Sequence, residues 1–169
     1  MTYLNVSTIG LRGRHHPALS NIVTTREVKL SRSHIKSLAG NYLTYKIKAD
    51  QSGGSARCRI CSSGSDESVS HVISTCQGLA EVRNKVLSEF KQLCKSSQNK
   101  INFEEIMQNE ETLCQFILEP TSLNLSTRLS LRDPLLTDFY NLSRDFCYII
   151  DKTRQGLLRD LVEEQSNNK

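Results

Sequence analysis

Residues 58 to 76 run Cys-Arg-Ile-Cys, nine residues, His, four residues, Cys, and no other stretch of the chain constrains its own folding so tightly. Cys58, Cys61, His71 and Cys76 offer three thiolates and one imidazole, a donor set that satisfies tetrahedral zinc with every coordination position taken by protein. A site closed in this way is structural and not catalytic. The two-residue spacer lets the sulfurs of Cys58 and Cys61 converge on one ion while nearby backbone amides donate to them. A chance grouping of core cysteines is the weaker reading. These residues flank polar turns such as Ser62-Ser-Gly-Ser65, and burying three thiols in a Ser/Gly loop has no packing rationale.

The chain has six cysteines in 169 residues. Met1 to Pro17 lacks the apolar centre of a signal peptide, and no run approaches the eighteen or so apolar residues of a membrane span. Together with the metal-type spacing, this sets the expectation of an intracellular protein, nuclear or cytoplasmic, with reduced thiols and no disulfide framework. Cys94, Cys114 and Cys147 fall on or beside apolar helical faces and read as small core hydrophobes. With no Trp and 6% aromatic residues, the composition predicts a core built from Leu, Ile and Val.

Hydrophobic periodicity predicts a mainly α chain: a helical domain with a small Cys3His zinc knuckle inserted before the second main helix. Residues 1–30 show no sustained period and read as a basic arm. The domain proper spans 31–162, with the knuckle at 57–78, and 163–169 form a fraying tail. The first helix is expected from Ser33, its N-cap, through Ile35, Leu38, Tyr42 and Leu43, weakened in the middle by Gly40. Asp66 to Thr75 reads as a short helix carrying His71, with Val69, Val72 and Ile73 turned inward.

Five residues from His71 to Cys76 subtend about 500° on an α-helix, far off one face, so Cys76 has to sit where that helix ends. Gly78 fits such a stop through the left-handed conformation that helix exits favour. Leu79, Val82, Val86, Phe90 and Leu93 mark the next helix. A capping box at Asn102 and Glu105 opens another, which carries Phe103, Ile106, Met107, Leu113, Cys114 and Ile117 and stops at Pro120. Asp133 before Pro134 starts a long helix with Leu135, Phe139, Leu142, Phe146, Ile149, Thr153, Leu157 and Leu161 as its stripe. This stripe packs on the two preceding helices or, in a second reading, on a coiled-coil partner.

Charge is unevenly spread. Of the 22 Lys and Arg and 18 Asp and Glu, the segment before Cys61 holds ten bases and two acids, while the remainder is net acidic. A segment this basic suits a polyanion, because each cation set on a phosphate releases condensed counterions; a solvated basic arm is the other reading. Tyr42, Tyr45, Lys46 and Lys48 combine rings and ammonium groups in the manner that suits stacking on unpaired bases, although the register of Tyr42 also makes it a core candidate. Arg57 and Arg59 bracket Cys58, so a folded knuckle presents both guanidinium groups on a small loop. The candidate nucleic-acid contacts are Arg32, Lys36, Tyr45, Lys46, Lys48, Arg57 and Arg59.

The order of these segments resembles the C-terminal, zinc-knuckle-bearing tail of reverse transcriptase polyproteins from non-LTR (LINE-like) retrotransposons. The resemblance rests on Arg32-Ser-His-Ile-Lys-Ser-Leu-Ala-Gly-Asn-Tyr-Leu-Thr44, Cys58-Arg-Ile-Cys61, Glu67-Ser-Val-Ser-His71 and Cys76. It continues through Leu79 and Arg83, Phe116-Ile-Leu-Glu-Pro120, and Leu142-Ser-Arg-Asp-Phe-Cys147. It implies an accessory module that binds element RNA or target DNA beside a polymerase. The chain has no Tyr-x-Asp-Asp signature and no endonuclease constellation, so neither activity carries over.

The expectation is therefore a non-catalytic, zinc-stabilised module that binds RNA or single-stranded DNA. The alternative is a zinc-stabilised protein-interaction module that docks on a partner, such as a reverse transcriptase body, through its C-terminal helices. A zinc enzyme requires an open ligand position with an acid or base beside it, and Glu67 is the one nearby acid with any case.

Overall fold

The computed structural model describes residues 22–38, 53–96, 101–120 and 134–167. Helices dominate: α1 (Thr25–Leu38), α2 (Ala80–Ser96), α3 (Phe103–Met107), α4 (Glu110–Leu118) and α5 (Pro134–Asn167). Between α1 and α2 lies the Cys/His segment, made of a loop closed by one isolated antiparallel bridge, Arg57 to Asp66, a π turn at His71–Thr75 and a 3-10 turn at Gln77–Leu79. The fold is mainly α, with the Cys/His segment before the second main helix as the sequence implies. Among the described residues, no helix is long and apolar enough to cross a membrane.

α1 begins at Thr25, inside the segment that periodicity assigns to an arm, and residues 1–21 lie outside the described residues. Its start is a capping box: Thr24 Oγ1 accepts from the Glu27 amide at 3.2 Å, and the Glu27 carboxylate accepts from the amides of Val23 and Thr24 at 2.8 and 2.7 Å. Ser33 is accordingly not a cap; it is buried in mid-helix, and its carbonyl accepts from Ser37 Oγ at 3.1 Å. Hydrophobic periodicity finds this helix only from Ser33 and misses its first two turns, because its buried face is largely polar, comprising Ser31, Ser33, His34 and Ser37 beside Leu30 and Leu38. Gly40, Tyr42 and Leu43 lie outside the described residues.

The buried polar face is matched by its neighbours. His34 is fully buried and its Nε2 lies 2.9 Å from the Leu118 carbonyl oxygen, while Arg144 Nη1 donates to Ser31 Oγ at 3.4 Å. Tyr140, stacked obliquely 6.1 Å from the His34 ring, donates its hydroxyl to the buried Glu119 carboxylate. These bonds fix the rotation of α1 on α4 and α5, since turning the helix would strand several polar groups away from water.

The helix expected over 103–117 is broken in two. Asn102 caps α3, accepting from the Glu105 amide at 3.4 Å, and Asn109 caps α4, accepting from the Thr112 amide at 2.9 Å. A second Asn three residues before a small polar residue is thus a second start. α4 ends at Leu118, just before Pro120.

Leu, Ile and Val make up most of the buried core, as the composition implies, and an aromatic cluster sits among them. All five phenylalanines meet: Phe90 of α2 lies 4.9 Å from Phe139 and 6.2 Å from Phe146, Phe116 lies 4.6 Å from Phe139, and Phe103 lies 5.9 Å from Phe116. Few aromatics suffice when every Phe is spent on one cluster, since edge-to-face pairs add to simple burial. Cys94, Cys114 and Cys147 are buried as expected, and burial pushes the Cys94 thiol up to about 11 and that of Cys147 up to about 12.

α5 is helical through Asn167, so residues 163–167 continue the helix and do not form a separate tail. Its buried stripe includes Phe139, Tyr140, Phe146, Cys147 and Ile150, with Ile149 turned out at 39% exposure. That stripe packs mainly on α1 and α2. Further along, Arg154 reaches the Cys/His segment: its Nε donates to Glu67 Oε1 at 3.0 Å and its Nη2 to Oε2 at 2.8 Å, with Glu67 wholly buried. Glu67→Gln should cost about 3–5 kcal/mol in chemical denaturation, because it leaves the Arg154 charge buried without its counterpart. A Glu67→Leu/Arg154→Met pair should recover most of that loss, and a single variant as stable as the parent would show that the pair does not hold the segment down.

Candidate metal centre

The loop that delivers Cys58 is closed by backbone bonds. The Glu67 amide donates to Ala56 O at 2.8 Å and the Cys58 amide to Ser65 O at 2.9 Å, while Gly64, with φ +72°, makes the reversal between them. Within this reversal the amides of Ile60 and Cys61 turn toward the Cys58 sulfur. Ser63 serves Cys61 in the same way through its amide and through its hydroxyl, 3.1 Å from Sγ.

His71 and Cys76 arrive on the other side. The segment becomes helical at Val69, with Ser68 Oγ accepting the His71 amide at 3.0 Å, and Val69, Val72 and Ile73 are buried as expected. Asp66 is in the bridge and not in this helix. The turn from His71 is then widened to a π turn, closed by the Cys76 amide donating to His71 O at 2.7 Å. Widening is the answer to the register problem: an i to i+5 bond makes the two ligands bracket one turn, which an α-helix cannot do.

Gly78 serves a different purpose from the one its sequence position implies. It is not left-handed. A Cβ there would lie 2.4 Å from Ile60 Cγ2 and 2.7 Å from Ile60 O, so glycine is needed for the exit of the π turn to touch the Cys58–Cys61 loop. Its amide meanwhile donates to the Cys76 sulfur.

The four side chains converge. Cys58 Sγ is 3.8 Å from Cys76 Sγ, Cys61 Sγ is 3.4 Å from His71 Nε2, and all four donor atoms lie within 4.8 Å of one another. Zinc at about 2.3 Å from sulfur and about 2.0–2.1 Å from nitrogen sets S–S edges of about 3.8 Å and S–N edges of about 3.5 Å. Two of the six edges match these lengths and none exceeds 4.8 Å, so the residues fit a tetrahedral metal ion after a small closure. His71 Nδ1 lies 3.1 Å from Thr75 Oγ1, so a proton on Nδ1 shared with that hydroxyl leaves the Nε2 lone pair facing the sulfurs.

Three residues that the ligand spacing alone does not reveal complete the setting. Thr75 orients His71, and its position four residues on was legible as one helical turn. Arg83 is buried, with Nη1 donating to Cys76 O at 2.8 Å; burial lowers its pKa and the Cys76 sulfur works against that lowering. A guanidinium here would offset the negative charge of three thiolates once a metal ion is bound. Glu67, the one acid considered for zinc chemistry, is engaged through both oxygens by Arg154.

The thiols differ in acidity. Burial raises Cys58, against the amides of Ile60 and Cys61. Cys76 is pushed up to about 12, first by burial and then by the sulfurs of Cys58 and Cys61. In Cys61 burial also acts upward, yet the hydroxyl and amide of Ser63, with Cys58 and His71, bring it down to about 6.

Of the candidate nucleic-acid contacts, Arg57 and Arg59 are exposed on the loop beside Cys58. Arg59 lines an open pocket of ≈430 Å³ with Leu158, Leu161, Val162 and Gln165 of α5. Arg32 and Lys36 are exposed on α1, which packs on α4 and α5, whereas the π turn packs on α2, α4 and α5. Tyr45, Lys46 and Lys48 lie outside the described residues, as does Tyr42.

Near pH 7, Cys58 and Cys76 hold their protons and Cys61 has largely lost its own, so metal uptake has to expel about two protons. The loaded state binds fewer protons, and affinity therefore rises with pH and falls on acidification. Calorimetry in buffers of differing ionisation enthalpy counts this release, and a value near zero would remove the thiols from the ligand set. Thr75→Val, which keeps the shape but loses the hydroxyl, should weaken zinc about 10–100-fold in competition with a chromophoric chelator. Comparisons of the chain with family models, with curated proteins and with solved structures find no match.

Proposed function

We propose that the protein is a zinc-stabilised, non-catalytic module that binds RNA or single-stranded DNA, akin to the C-terminal accessory region of a LINE-like reverse transcriptase. The observation that carries this reading is the convergence of Cys58, Cys61, His71 and Cys76 on edges of 3.8 and 3.4 Å, in a loop that holds Arg57 and Arg59 outward on either side of a ligand. Three thiolates favour zinc over harder divalent ions. Zinc, when bound, supplies a fixed cross-link between the loop and the π turn.

With that link made, Arg57 and Arg59 act from a rigid base. A guanidinium whose backbone is already ordered loses less entropy on gripping a phosphate or stacking on a base. Four protein ligands leave no place for substrate on the ion, and the engagement of Glu67 by Arg154 favours a structural role for that acid. The resemblance to the retrotransposon tail gains support from the packing: His34, Leu118 and Glu119, and Arg144, drawn from three of the segments that carry it, lie in one buried interface.

The test is a filter-binding titration of the zinc-loaded chain against single-stranded and duplex RNA and DNA at two salt concentrations. Affinity should fall steeply as salt rises, and Cys61→Ser should lose metal and affinity together. Binding that survives metal loss unchanged would break the link between knuckle and nucleic acid. A flat salt response, with capture of a protein instead, would favour the docking module.

A further inference from the structure

We infer that the outward face of α1 is a second surface for the sugar-phosphate backbone of nucleic acid, formed by Lys29, Arg32 and Lys36 and separate from the knuckle; this rests on the nucleic-acid reading above and extends it. At about 100° per residue, these three side chains fall within an arc of about 60° and rise about 10 Å along the helix. All three are exposed, and Lys29 was not among the contacts read from the sequence. The opposite side of α1 buries Leu30, Ser31, His34, Ser37 and Leu38, and the bonds of Ser31 and His34 to Arg144 and Leu118 fix which way the cations point.

Lys36 stands in the last turn, where a cation complements the helix dipole, but helix stability does not explain the row, since Lys29 and Arg32 precede that turn and like charges three and four residues apart repel. Nor do acids answer it. None of the ion pairs among the described residues involves Lys29, Arg32 or Lys36, and Glu27, the one acid of the helix, is turned back onto the amides of Val23 and Thr24. A row of cations on a rigid rod, with no apolar element among them, matches a ligand of regularly spaced negative charge and no required sequence. A membrane-surface helix would also present large apolar residues, but Leu30 and Leu38 face the core and only Val28 flanks the row in the open.

The two surfaces are apart. Ser31 and Ser37, next to Arg32 and Lys36, meet Arg144 and Cys147 on α5, whereas Arg59 lies against Leu158 and Leu161. That interval is roughly 16 Å or more along α5, about twice the screening length at physiological salt, so each patch contributes on its own.

The test uses the full zinc-loaded chain, RNA and single-stranded DNA, and two triple variants: Lys29→Gln/Arg32→Gln/Lys36→Gln on α1, and Lys85→Gln/Lys95→Gln/Arg159→Gln as an equal change of charge at exposed positions elsewhere. The α1 variant should reduce the slope of log affinity against log salt by about 2–3 and weaken binding on the order of 10²-fold at 0.1 M salt, with zinc content and melting temperature unchanged. The other variant should keep the parental slope. An α1 variant with parental slope and affinity overturns this surface while the parent's binding leaves the nucleic-acid reading standing. Equal losses in both variants overturn it as well, by reducing the effect to net charge. A parent that binds no nucleic acid brings down both proposals, and one that instead binds phosphatidylserine vesicles through these lysines assigns the face to a membrane and overturns the inference.

Discussion

The bidentate pair between Glu67 and Arg154 is the interaction on which the arrangement of this molecule turns. The Cys/His segment has a single β-bridge and two short turns, too little to bury a core of its own. Val72, Ile73 and Leu79 join it to the common core, and its seat on the helices is oriented by one carboxylate, fully out of water, gripped in plane by a guanidinium that is itself buried. Two charges in such a place cost several kcal/mol each to desolvate, and only ideal geometry offsets that, so the pair contributes orientation more than net stability. Arg154 lies beyond the phenylalanine cluster on α5, and Glu67 stands between the loop and the π turn. The pair therefore sets the distance from the aromatic core to the thiol cluster.

Local structure in the knuckle follows the needs of the donor atoms. An α turn at His71 would have carried the Cys76 sulfur away from the imidazole, and the chain instead accepts the poorer hydrogen-bond geometry of a π turn to bring both inward. The same priority shows at Gly78, where the backbone touches Ile60 so closely that no side chain fits. Neither feature stabilises an isolated peptide. Both make sense if the segment is closed chiefly by metal binding, which contributes about 10–16 kcal/mol in small zinc peptides near neutral pH.

The legible parts of the fold are those where chemistry leaves a spaced signature. Cys58-x-x-Cys61 with His71 and Cys76 gave the donor set, and Asn102 with Glu105 gave a helix start, because ligand geometry and capping act over a few residues. α1 was half hidden for the opposite reason: its inward face is Ser31, Ser33, His34 and Ser37, satisfied by partners such as Leu118 and Arg144 more than eighty residues away, and no local pattern announces such bonds. Arg154 was hidden too, since a lone Arg on a long amphipathic helix reads as solvated until its acid partner, 87 positions earlier, is seen beside it. The Phe cluster was invisible to composition because five rings count as few until they are found together.

Charge asymmetry in the sequence resolves differently on its two sides. The exposed acids of the middle region, Glu104, Glu105, Glu110 and Glu111, stand in the first turns of α3 and α4, where they complement the positive ends of the helix dipoles, and Glu104 also meets Lys91. Glu67 and Glu119 are buried partners of Arg154 and Tyr140. Folding thus accounts for much of the negative charge. It accounts for Arg83, Arg144 and Arg154 as well, each buried against an acceptor. Lys36 complements the negative end of the α1 dipole, whereas Lys29 and Arg32, beside it on the outside of α1, answer to none of these local demands; they are the part of the electrostatics that the fold carries without using.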